Sequence, residues 1–118
     1  MRKLNAFKYE VSTGETITIK VTPTQFGSSG FSVEATLDSH SIDPLPGSAN
    51  APTYRFTVTR PAGKIHPVLM EFTFLAGSPN GAFYDVSISG QNDSGCPCGF
   101  TVKKTTANKE PAIRFLVV

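Results

Sequence analysis

Thr16-Ile17-Thr18-Ile19-Lys20-Val21-Thr22 alternates apolar and polar side chains without a break. A period of two puts Ile17, Ile19 and Val21 on one face of an extended strand and Thr16, Thr18 and Lys20 on the other, so one face seeks a core and the other meets water. Outward from this stretch the same pattern recurs in Phe31, Val33, Ala35 and Leu37, in Tyr54, Phe56 and Val58, in Met70, Phe72 and Phe74, and in Tyr84, Val86 and Ile88. Nearly every run is bounded by Gly, Pro, Asn, Asp or Ser, the residues that turn a chain. Short alternating runs between turns predict an all-β fold, an antiparallel β-sandwich of seven to eight strands.

The boundaries follow from the breakers. The first strand is expected over Leu4 to Val11, the second over Glu15 to Thr22 with its end at Pro23, and the third over Phe31 to Leu37. Asp38 to Pro52 holds Pro44, Pro46, Gly47 and Pro52 among small polar residues and reads as a surface loop. Further strands are expected over Thr53 to Arg60, Val68 to Leu75, Phe83 to Ser89, Gly99 to Lys104 and Ala112 to Val118. The expected core is Ile17, Ile19, Val21, Phe31, Val33, Phe56, Val58, Phe72, Phe74, Val86 and Ile88.

A chain of 118 residues is expected to form one domain, residues 1–118. With 39% apolar and only 17% charged residues the composition excludes disorder, and a net charge of +2 scattered over both ends excludes a basic nucleic-acid surface. Asn5, Lys8 and Glu10 interrupt the start, so no secretory h-region is read, and no run is long enough for a membrane-spanning helix. A soluble, cytoplasmic protein is the expectation where Met1 is the native start. Cys96 and Cys98 flank Pro97, and because a bridge across one residue closes a small strained ring, free thiols in a reducing compartment are expected.

Asn80, Gly81, Ala82, Phe83, Tyr84, Asp85 and Val86 resemble the start of the sixth strand in immunoglobulin folds, and the resemblance implies that Tyr84 forms a corner tying the preceding turn to its strand. The continuation through Ile88, Gly90, Asn92 and Gly95 is similar to the late strand and hairpin of fibronectin type III domains. Val86 stands where antibody-type domains carry a cysteine, the chain has no Trp, and Ala112 to Val118 adds a segment beyond the seven-stranded pattern. The resemblance thus implies a related but distinct sandwich, and it implies architecture rather than activity.

Candidate chemistry is sparse. His40, His66, Cys96 and Cys98 make a nitrogen and sulfur set of the kind zinc takes, but their spacing fits no finger or ribbon. Asp38, Asp43, Asn50, Asn92 and Asp93 have the oxygen chemistry for calcium, and they are equally the residues of ordinary turns. Cys96 or Cys98 beside His66 lacks the strained nucleophile turn, and a one-residue spacing is wrong for a thioredoxin-type centre. No metal, cofactor or catalytic set is therefore expected.

What remains is a loop end on a rigid scaffold, where Gln25, Phe26, Arg60, Lys64, His66, Gln91, Asn92 and Asp93 mix an aromatic with cations and amides. The terminal run Ile113, Phe115, Leu116, Val117 and Val118 is too apolar for a free tail and must dock in a sheet or against another subunit; as an outer strand it would offer a ladder to a second copy, and the alternative is that it is covered within the monomer, leaving the loop end as the binding surface. These features point to a non-enzymatic interaction or assembly module that binds a protein partner through loops or a sheet edge, with a homodimer as one form. The alternative is a carbohydrate-binding, lectin-like sandwich.

Overall fold

The alternation read in the sequence becomes ten strands and, among the described residues, no helix. In this computed structural model the described residues are 1–23, 33–48, 50–60, 66–74, 83–91, 98–103 and 112–118. The chain opens with β1 (Arg2–Asn5), β2 (Lys8–Val11) and β3 (Thr16–Pro23), continues through β4 (Val33–Leu37), β5 (His40–Ile42) and β6 (Thr53–Thr57), and ends with β7 (His66–Phe74), β8 (Phe83–Gly90), β9 (Gly99–Lys103) and β10 (Ile113–Val117). One sheet has the order β1-β2-β10-β7-β4-β5 and the other β6-β3-β8-β9. All pairings are antiparallel except β2 with β10, which run parallel from Lys8↔Arg114 to Val11↔Val117.

The apolar faces of the two sheets share one core. Ile17, Ile19, Val21, Val58, Phe72, Val86 and Ile88 are buried as expected, and Val33 and Phe56 pack against them half-buried. Phe31 and the Phe74 side chain lie outside the described residues. Aromatic rings bridge the layers, with Tyr54 of β6 6.1 Å from Phe72 of β7 and Phe56 of β6 5.8 Å edge-on to Phe115 of β10. Offset and edge-on contacts of this kind add to the area buried because ring edges are positive and ring faces negative.

Two expectations are corrected. The single strand over Leu4 to Val11 is two strands, because the Asn5 side-chain oxygen accepts the Phe7 amide at 2.8 Å and turns the chain, so β1 folds back on β2. The loop over Asp38 to Pro52 contains β5, since Asp38 (φ 49°) and Ser39 (φ 69°) form a two-residue hairpin turn with both residues left-handed. Asp38 is held there by Leu69, whose carbonyl accepts its amide at 2.8 Å and whose amide donates to its carboxylate at 2.9 Å.

The C-terminal run takes the second of its two expected places, within the chain. It is no outer strand: β10 lies between β2 and β7, laddered on both sides, with Ile113, Phe115 and Val117 fully buried. Its backbone groups are used within the chain, so the ladder expected for a second copy does not exist there. An apolar run satisfies its burial as well in the middle of a sheet as between subunits, and the sequence pattern alone does not separate the two.

Candidate functional site

The expected loop end is only partly within view. Phe26, Lys64, Asn92 and Asp93 lie outside the described residues, as does the side chain of His66. Arg60 and Gln91 each bond a residue near the start of β3: the Arg60 amide donates to Thr13 Oγ1 at 3.2 Å, and Gln91 Oε1 accepts the Thr16 amide at 3.3 Å. The His66 backbone reaches the same end, since His66 pairs with Val117 and the neighbouring Val118 carbonyl accepts the Thr13 amide at 2.9 Å. Pro23, the last described residue before Phe26, pairs with Tyr84 at the opposite end of β3, whereas Gly90 pairs with Ile17 at this one. At about 3.3 Å per residue the two ends are on the order of 20 Å apart.

The cysteine expectation is overturned. Cys98 is disulfide-bonded, and the chain has only one other cysteine, Cys96, itself outside the described residues. Two Cα–Cα steps of about 3.8 Å folded at a bend bring their ends within the roughly 4.4–6.8 Å that a disulfide spans, so the intervening Pro97 does not forbid the bridge. Gly99 follows immediately with φ 127°, and a Cβ there would collide with the Val86 carbonyl oxygen, so only glycine lets β9 start this close to β8. Among the described residues no three His, Cys, Asp or Glu side chains gather as a metal requires. His40 is exposed, its Nδ1 3.0 Å from the Asp38 carbonyl oxygen.

A site that the sequence reading missed lies where β4 and β5, at one end of the six-stranded sheet, approach Tyr54 of β6, an edge strand of the other sheet. A cleft of about 220 Å³ opens there, walled by Val33, Ala35, Ile42 and Pro44, with Glu34, Asp43 and Tyr54 as its ionisable residues. Tyr54 is only 1% exposed, because its ring belongs to the core. Burial, then the charge on Glu34, then that on Asp43 push its phenol up to about 12. Nothing in the sequence marked this cleft: Glu34 is the polar residue of an alternating strand, and Asp43-Pro44 reads as turn chemistry.

The Tyr54 shift has a sign that stability shows. The unfolded chain releases this proton near pH 10 and the folded one near pH 12, so the contribution is complete below pH 10 and disappears as pH rises through about 12. The expected loss is about 1–2 kcal/mol once solvent at the cleft is allowed for. Urea midpoints of wild type and Tyr54→Phe should differ in slope over that window and run parallel below it. Tyr9, also raised by burial, acts in the same direction in both proteins and cancels in the comparison. Parallel curves throughout would show that Tyr54 is not shifted.

The free edges differ in what they offer. In β6, Tyr54, Phe56 and Val58 turn their backbone groups toward β3, the Val58 amide donating to the Glu15 carbonyl at 3.1 Å. Thr53, Arg55 and Thr57 therefore face outward. Thr53 is occupied, its carbonyl accepting the Leu45 amide at 2.7 Å and its amide donating to Ser48 Oγ at 3.3 Å. The amides and carbonyls of Arg55 and Thr57 have no ladder partner among the described residues. By contrast β1 carries Arg2 and Lys3 and a register shift, devices that blunt an edge, and β5 is only three residues long.

No protein family, no curated protein and no solved structure matches this chain.

Proposed function

We propose that the protein is a non-enzymatic interaction module that takes an extended segment of a protein partner as an added strand along β6. The observation that carries this reading is the outward ladder of Arg55 and Thr57, on a strand with unbroken register against β3 and no proline within it. Strand addition draws affinity from main-chain hydrogen bonds and specificity from neighbouring side-chain pockets. An immunoglobulin-like sandwich is the architecture we assign to it. The order β5-β4-β7-β10 and the pairing of β3 with β6 support this, because they parallel the C′-C-F-G and B-E neighbours of that fold. In this reading β7 takes the place of the sixth strand, Tyr84 sits buried in β8, and the β1–β2 and β8–β9 hairpins are additions at the ends of the two sheets away from β5 and β6, where Tyr9 and Gly99 meet.

The carbohydrate reading has less behind it. A lectin presents an exposed aromatic platform, and among the described large hydrophobic residues that are exposed, Phe7 is the one aromatic, 4.6 Å edge-on to Phe100. Random-peptide display selected on the wild type and counter-selected on Arg55→Pro tests strand addition directly. Proline at 55 removes an outward amide and the Arg55 side-chain bond to Thr18 while leaving every backbone bond to β3 in place. Selected peptides are expected to lose binding to Arg55→Pro and to slow hydrogen exchange at Arg55 and Thr57. Peptides that bind both proteins equally, or that protect another strand, would overturn the assignment.

A further inference from the structure

We propose that the cleft between β5 and β6 is a binding site for an organic cation, an alkylammonium or alkylguanidinium group. The inference is independent of strand addition at the outer edge of β6. It starts from a hydroxyl group. Tyr54 is 99% buried by its 1% exposure, it lines the cleft, and no hydrogen bond within the described residues uses its hydroxyl. By contrast, the Tyr9 hydroxyl donates to the Ala6 carbonyl at 2.7 Å and accepts the Gly99 amide at 3.1 Å. The Tyr54 hydroxyl therefore opens onto the cleft with its hydrogen-bonding capacity unused by the described residues, where a ligand atom can take it up.

The surrounding charges choose the ligand. Glu34 and Asp43 line the same cleft, and neither has an ion-pair partner among the described residues. The nearest cation along β6, Arg55, holds Thr18 on the outer face of its sheet with Nε 3.4 Å from Thr18 Oγ1. Two carboxylates repel an anion and leave a neutral ligand with half the attraction unused. A calcium ion calls for roughly six to eight oxygen ligands, more than two carboxylates and a phenol provide. An ammonium or guanidinium group brings several N–H donors and no acceptor, which suits carboxylates and a phenolic oxygen. Val33, Ala35, Ile42 and Pro44 then line the path of its alkyl chain, and a volume of about 220 Å³, below the roughly 300 Å³ where drug-sized pockets begin, suits one such group. The cation is either a free small molecule or the side chain of an arginine or lysine in a protein.

Butylguanidinium, its neutral isostere butylurea, and an arginine blocked at both ends are the probes, followed by amide resonances. Butylguanidinium is expected to shift Ser41, Ile42 and Asp43 with a dissociation constant on the order of millimolar. Glu34→Gln with Asp43→Asn should weaken it about tenfold or more, and Tyr54→Phe severalfold, with resonances distant from the cleft unchanged in both. Blocked arginine binding as tightly as butylguanidinium identifies a protein side chain as the source, and its exclusion identifies a free cation; both uphold the site. Butylurea or a neutral sugar binding as well as butylguanidinium would overturn the proposal. So would undiminished binding to the double carboxylate variant, or no shift at the cleft residues.

Discussion

Phe115→Asp is expected to abolish the folded state. Phe115 is fully buried at the centre of β10, its ring 6.0 Å from that of Tyr9 and 5.8 Å from that of Phe56. Losing a buried phenylalanine costs about 3–5 kcal/mol, and burying an unpaired carboxylate costs several more. Together they are comparable with the roughly 5–15 kcal/mol that separates a domain of this size from its unfolded state. Topology adds to the damage, because β2 joins its sheet only through β10 and β1 only through β2. Far-ultraviolet circular dichroism and amide dispersion are expected to show no cooperative β fold. Arg114→Ser changes the exposed neighbour on the same strand and should leave the spectrum intact. A Phe115→Asp protein that retains a cooperative urea transition would show that β10 is not interior.

Glu15→Ala is expected to cost about 3–5 kcal/mol, the penalty for breaking a buried ion pair by removing one partner. Glu15 is the one charged side chain buried among the described residues, at 2% exposed. Its Oε2 lies 3.2 Å from the ammonium nitrogen of Met1, and its Oε1 accepts the Ser12 amide at 3.0 Å. The carboxylate therefore closes the turn between β2 and β3 and holds a buried positive charge at once. Glu15→Gln separates the two tasks, since the amide oxygen still accepts from Ser12 while the charge is gone. It should recover part of the loss in a urea titration. Acetylating the Met1 amine removes the other charge and should make Glu15→Gln cost less than it does in the unmodified chain. Equal costs in both forms would show that the pair contributes nothing. Gly90 belongs to this arrangement: a Cβ there would run into Glu15 Oε2 and crowd Met1 Cβ at 3.1 Å.

How far the sequence could be read depended on whether a signal is local. Ile17, Ile19 and Val21 needed no structure to be placed inside, because alternation is a property of neighbouring residues and their φ and ψ angles. The ends of β3 and β8 were legible within a residue or so for the same reason, with Pro23 and Gly90 as punctuation. The hairpin at Asp38-Ser39 escaped notice because Asp-Ser is a weaker turn signal than Asn-Gly, and because its left-handed φ values are held in part by Leu69 on another strand.

The all-β class, the alternating strands and most of their inward residues are thus determined by the sequence alone, since each follows from backbone geometry within a few residues. The position of β10 between β2 and β7, the burial of Glu15 beside Met1, the outward ladder of β6 and the cleft at Tyr54 were decided only by the tertiary structure. Each of these joins residues far apart in the chain, Tyr54 with Glu34 and Phe115 with Tyr9 among them. A period of two says which face of a strand is buried. It carries no information about which strand lies alongside, because every apolar face can satisfy its burial against several partners and only their joint packing selects one.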